Sequence, residues 1–74
     1  MKIRKSQLIA TIAIVEDATG DSQAMYDYDV LSDLEMTSNE MEAFMKENKV
    51  LIDKVKERIF ETISELAEKL SKHY

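Results

Sequence analysis

Four carboxylates crowd together at Asp27, Asp29, Asp33 and Glu35, and among all the residues of this chain their types and spacing come nearest to chemistry. Carboxylate oxygens gathered on one surface can bind a hard cation such as Ca²⁺. They can also imitate nucleic-acid phosphates and occupy a basic groove on a partner, with Tyr26, Tyr28 or Met25 adding apolar contact. The cation reading is weak as a pattern: the glycine and closing glutamate of an EF-hand loop are missing after both Asp17 and Asp27. A third reading needs no ligand, since charge on an exposed strand keeps sheet edges from pairing between molecules.

Other reactive groupings are thinner. Glu57, Glu61 and Glu65 recur at four-residue steps, but a bundle-type carboxylate metal site also needs Glu-x-x-His, and Leu70 stands three residues before His73. With no cysteine and a single histidine near the carboxyl end, no nucleophile has an activating base in sequence. One glycine cannot build a phosphate-cradling loop. The expectation is therefore a protein that is not an enzyme, with no cofactor and no metal site.

Charge narrows the partners. Lys2, Arg4 and Lys5 open the chain, residues 6–45 contain nine acidic and no basic residues, and the formal net charge is -5. Such a balance disfavours nucleic acid and anionic membranes unless the basic groups gather on one face. Residues 8–15 follow the basic start much as a signal peptide would, but Glu16 and Asp17 come next and no small-x-small site follows, so the cytoplasm is expected. No stretch approaches the roughly 20 apolar residues of a membrane span.

The elements that must position these groups are expected within one small domain, residues 1–74. Residues 8–15 are rich in β-branched side chains, which suit a pleated strand. Ala24, Tyr26, Tyr28 and Val30 alternate with Met25, Asp27 and Asp29, the period of a half-buried strand. Gly20 lies between the runs and could supply the positive φ of a hairpin loop. Residues 6–34 are thus expected to form an antiparallel β-hairpin, with Leu8, Ala10, Ile12 and Ile14 on one face and Asp27 and Asp29 on the other. Pairing its edge with a second chain would give a four-stranded sheet. Two competing readings are an all-helical chain, in which Ser6 caps a helix running to Gly20, and a ribbon-helix-helix repressor.

From residue 37 onward the pattern is helical. Thr37 and Glu40 make a capping box, and Met36 and Met41 stand at the positions of a hydrophobic staple. Met41, Phe44, Met45, Leu51, Ile52, Val55, Ile59, Ile63, Leu66 and Leu70 then recur at three- and four-residue steps, lining up one stripe. A single helix over residues 37–74 would be about 55 Å long, against a diameter near 30 Å for a compact chain of this size. Either it breaks around Glu47, Asn48 and Lys49, or a second chain covers the overhang; the unbroken helix is the expectation. Lys46, Lys49, Lys54, Lys56 and Arg58 dominate its first part and Glu57, Glu61, Glu65 and Glu68 its second, so antiparallel self-pairing matches unlike halves.

The fold expected is α+β, a hairpin followed by one long helix, assembled as a homo-oligomer. The function expected is a non-enzymatic protein-protein interaction module, a small acidic inhibitor or regulator. It would dock on a protein partner through Asp27, Asp29, Asp33, Glu35, Tyr26 and Tyr28, and self-associate through Phe44, Asn48, Leu51, Ile52, Val55, Ile59, Ile63 and Leu66. A structural self-assembly protein and a small DNA-binding regulator are the alternatives.

Overall fold

The structure, a computed structural model, describes residues 2–72 and is all-helical. In chain order it consists of α1 (Lys5–Thr19), a 3₁₀ turn (Gln23–Tyr26), α2 (Tyr28–Leu34), α3 (Ser38–Glu47) and α4 (Lys49–Ser71). No strand occurs among the described residues, so the hairpin, and with it both the α+β class and the ribbon-helix-helix alternative, is overturned. Met1, His73 and Tyr74 lie outside the described residues, as does the far end of the helix expected over 37–74.

Residues 8–15 become helix because burial outweighs propensity. β-Branched side chains lose only a few tenths of a kcal/mol each in a helix, whereas burying a large aliphatic side chain contributes about 1.5–3 kcal/mol. Leu8, Ile9, Ile12 and Ala13 fall on one helical face and are all buried. A strand would have put Ile12 and Ile14 on the same face, yet Ile12 is 0 % exposed and Ile14 is 56 % exposed. The helix starts where the Arg4 amide donates to Gln7 Oε1 at 3.3 Å. It stops at Gly20, whose φ of 84° and whose amide, donating to the Glu16 carbonyl at 2.8 Å, close the last turn. The conformational freedom expected of Gly20 is used, but to end a helix instead of turning a hairpin.

The second expected strand is a misread helix start. Met25, placed with the polar set by alternation, is 1 % exposed and belongs to the core. Asp27 instead caps α2, its Oδ1 accepting from the Asp29 amide at 3.2 Å. The helix ends in a Schellman motif: the Met36 amide donates to Leu31 O at 3.0 Å and the Glu35 amide to Ser32 O at 3.1 Å. Glu35 therefore sits at φ 55°, ψ 45°, where an L side chain costs about 1–2 kcal/mol. Glycine removes that strain and gives back part of it as unfolded-chain entropy. Glu35→Gly is accordingly expected to stabilise the fold by about 0.5–1 kcal/mol; a melting curve whose midpoint does not rise contradicts the assignment.

The capping box at α3 is present, with the Glu40 amide donating to Thr37 Oγ1 at 3.1 Å and the Thr37 amide to Glu40 Oε1 at 3.0 Å. The single long helix is not. It breaks at Asn48, where φ -111° and ψ 15° leave helical values. The bend has a packing reason. A straight rod meets a small core along one segment, whereas the break lets Met41 of α3 and Ile52 of α4 join the same cluster as Leu8, Ile12 and Met25. α1 makes its main packing against α4. At the other edge the Lys2 amide donates to the Leu34 carbonyl at 3.0 Å and Ile3 packs on the core, so the basic start is tied to the end of α2.

Candidate functional site

α4 is 23 residues long, about 35 Å, and its apolar stripe changes environment along the way. Ile52 is 2 % exposed, and Val55 and Ile59 are half-buried against the core. The stripe then continues in phase, at steps of four, three and four, through Ile63, Leu66 and Leu70, which are 59 %, 55 % and 48 % exposed. The chain measures 46 × 24 × 22 Å with a radius of gyration of 14.4 Å, against about 11 Å for a compact chain of this length. The excess is the distal half of α4, which has no packing partner among the described residues beyond its own helix. Isolated apolar side chains on a surface are ordinary, but a contiguous row marks an interaction site.

Beside the half-buried part of the stripe runs a shallow groove of about 430 Å³, lined by Leu51, Val55, Ile59, Thr62 and Ile63 with Lys54 and Arg58 at its rim. Lys54, Arg58, Glu61 and Glu65 follow one another at steps of four, three and four, so they form one row on the helix, basic in its first half and acidic in its second. The stripe itself was legible in the sequence. Lys54 and Arg58 entered the sequence reading only through charge matching between helices, and Phe60, 68 % exposed, did not enter it. Their positions one helical step from the stripe were the available signal.

Of the residues expected to self-associate, Leu51, Ile63 and Leu66 are exposed, Val55 and Ile59 are half-buried, and Ile52 and Phe44 pack in the chain's own core. Asn48 does not face water. It is 6 % exposed, and its Nδ2 donates to the Phe44 carbonyl at 2.9 Å, which also accepts from the Asn48 amide at 3.0 Å. The side chain thus finishes α3 as α4 begins. Asn48→Ala keeps the backbone bond and loses the side-chain one, an expected cost of about 1 kcal/mol. Urea unfolding should show a lower midpoint at unchanged slope; an unchanged midpoint would refute the role.

The acidic residues are dispersed among structural tasks. Asp27 caps α2, Asp29 occupies its first turn, where negative charge suits the macrodipole, and Glu35 closes it. Asp33 is exposed on the same seven-residue helix. Tyr26 is half-buried and its hydroxyl donates to Met45 Sδ at 3.7 Å, while Tyr28 is 82 % exposed. With the strand gone, Asp27 and Asp29 are exposed at the start of a short helix and not along a sheet face. Among the described residues no group of three or more His, Cys, Asp or Glu side chains could hold a metal ion, Glu57, Glu61 and Glu65 included.

A second cleft of about 280 Å³ lies between the end of α1 and the α3–α4 bend, lined by Glu16, Tyr26, Met45, Lys49 and Ile52 among others; Glu16 also forms an ion pair with Lys56 at 4.0 Å. The other ion pairs, Glu42–Lys46, Lys49–Asp53 and Glu68–Lys72, are exposed helix-surface contacts, each worth well under about 1 kcal/mol. Among the described residues no helix is long and apolar enough to cross a membrane. The chain matches no protein-family profile, no curated protein and no solved structure.

Proposed function

We propose that the protein is a non-catalytic interaction module that works as a homo-oligomer, with the distal half of α4 as its contact surface and a second copy of the chain as the occupant. The observation that carries this reading is the exposure of Ile63, Leu66 and Leu70 in register with the buried Ile52. Its scale supports association that depends on concentration. Leu51, Ile63, Leu66 and Leu70 are each about half exposed, so covering them in two copies contributes on the order of 8 kcal/mol. That is comparable to the ~4–15 kcal/mol cost of bringing two chains together. The groove and the helix edges supply the remainder. Assembly would also compensate for a core of seven buried apolar side chains among the described residues.

The basis for docking an acidic surface on another protein weakens with the loss of the strand that would have displayed it, so self-association through α4 takes its place as the leading reading. The cytoplasm stays the proposed location, on the grounds of the sequence alone. Light scattering across a range of concentrations tests the proposal: the molar mass should rise from that of the 8.5 kDa chain towards a multiple of it, and a constant single-chain mass at every concentration overturns it.

A further inference from the structure

We infer that two copies pair through α4 in antiparallel orientation, the distal half of each helix lying along the groove beside the proximal half of the other. The inference rests on the self-association proposed above and adds its geometry. Charge decides the direction. Residues 49–58 carry four basic side chains and two acidic ones, whereas residues 60–71 carry three acidic and one basic. Parallel pairing sets halves of like net charge together, and antiparallel pairing sets halves of unlike net charge together.

The row formed by Lys54, Arg58, Glu61 and Glu65 sharpens this to a register. When one such row is laid against its own reverse, Lys54 faces the second copy's Glu65 and Arg58 faces the second copy's Glu61. The symmetry repeats both pairs, as an isologous contact requires. Lys54 and Arg58 stand at the rim of the apolar groove, so the acidic half of the incoming helix meets basic charge where its Ile63 and Leu66 meet the groove. Each copy supplies both a groove and an occupant, and the pairing closes on itself as a dimer instead of growing into a filament.

The chain has no cysteine among its 74 residues, which makes cross-linking a direct test. Lys54→Cys and Glu65→Cys chains are prepared separately, mixed in equal amounts at a concentration where light scattering reports association, and treated with a short bismaleimide. Both positions are exposed, so neither substitution disturbs the core. In the antiparallel register two Lys54→Cys sites lie about 16 Å apart along the axis, eleven residues at 1.5 Å each. The mixed product, which joins a Lys54→Cys chain to a Glu65→Cys chain, should therefore exceed either like-with-like product by at least about fivefold. Like-with-like products in excess, from chains that do associate, overturn the antiparallel geometry and leave self-association standing. Chains that stay monomeric at every concentration, and so give no product, overturn both.

Discussion

Ile63→Asp combined with Leu66→Asp is expected to leave a folded monomer at every accessible concentration. Each aspartate removes an apolar contact and, in a dimer, would bring a carboxylate into a site that water leaves. Loss of the contacts alone, from half-exposed side chains on both copies, amounts to roughly 3–6 kcal/mol, so the dissociation constant should rise by at least about a hundredfold. The monomer itself should be little affected, because both side chains already face solvent and the change in helix propensity is below about 1 kcal/mol each. Circular dichroism on a dilute sample checks that the fold persists, and light scattering on a concentrated one checks that association is lost. Persistent dimers would mean that the distal stripe is not the contact.

The second large effect lies in the core and tests the fold. Ile12→Ala should cost about 2–5 kcal/mol, about half of the total stability of roughly 4–11 kcal/mol expected for a chain of this length. Ile14→Ala, two residues along, should cost no more than about 0.5 kcal/mol. The contrast follows from the helix, which places the two side chains on nearly opposite faces and leaves one at 0 % and the other at 56 % exposure. A half-buried strand would make the two losses similar. Denaturant midpoints for the pair of variants separate the cases, and equal destabilisation would contradict α1.

What could be read from the residues, and what could not, follows from the range of the forces concerned. The start of α3 was legible because a capping box is local: Thr37 and Glu40 satisfy each other's amides within one turn. The stripe along α4 was legible because a 3.6-residue period needs no partner to be seen. Residues 8–15 were misread because their β-branched character is a weak local preference, and what decides the matter is the burial of Leu8, Ile9 and Ile12 in one cluster with the sequence-distant Met41 and Ile52. The run from Ala24 to Val30 alternated by coincidence. Its period-two pattern was a 3₁₀ turn joined to a short capped helix, and the diagnostic residue was Asp27, read as surface charge when it was a cap.

Asn48 lies between these cases. The thinning of the apolar pattern around Glu47, Asn48 and Lys49 located the break correctly, but the preference for an unbroken rod failed because asparagine is a weak helix breaker on propensity alone. The break brings something propensity does not count, the burial of Met41 and Ile52 in one cluster, and at the break Asn48 itself is buried with its side-chain amide bonded back to the Phe44 carbonyl. The acidic surface was the least legible feature of the candidate site. Its members were identified by type, and their roles depended on backbone geometry that was itself misassigned.

Amide hydrogen exchange across residues 60–71 tests most directly whether the far half of α4 becomes sheltered when copies meet. In dilute solution those amides should exchange close to the rate of a solvated, fraying helix, while amides of α1 around Leu8 and Ile12 stay protected. Raising the concentration should slow exchange in residues 60–71 and leave that of α1 little changed until global unfolding is reached. Fast exchange in that segment at every concentration would show that nothing covers it.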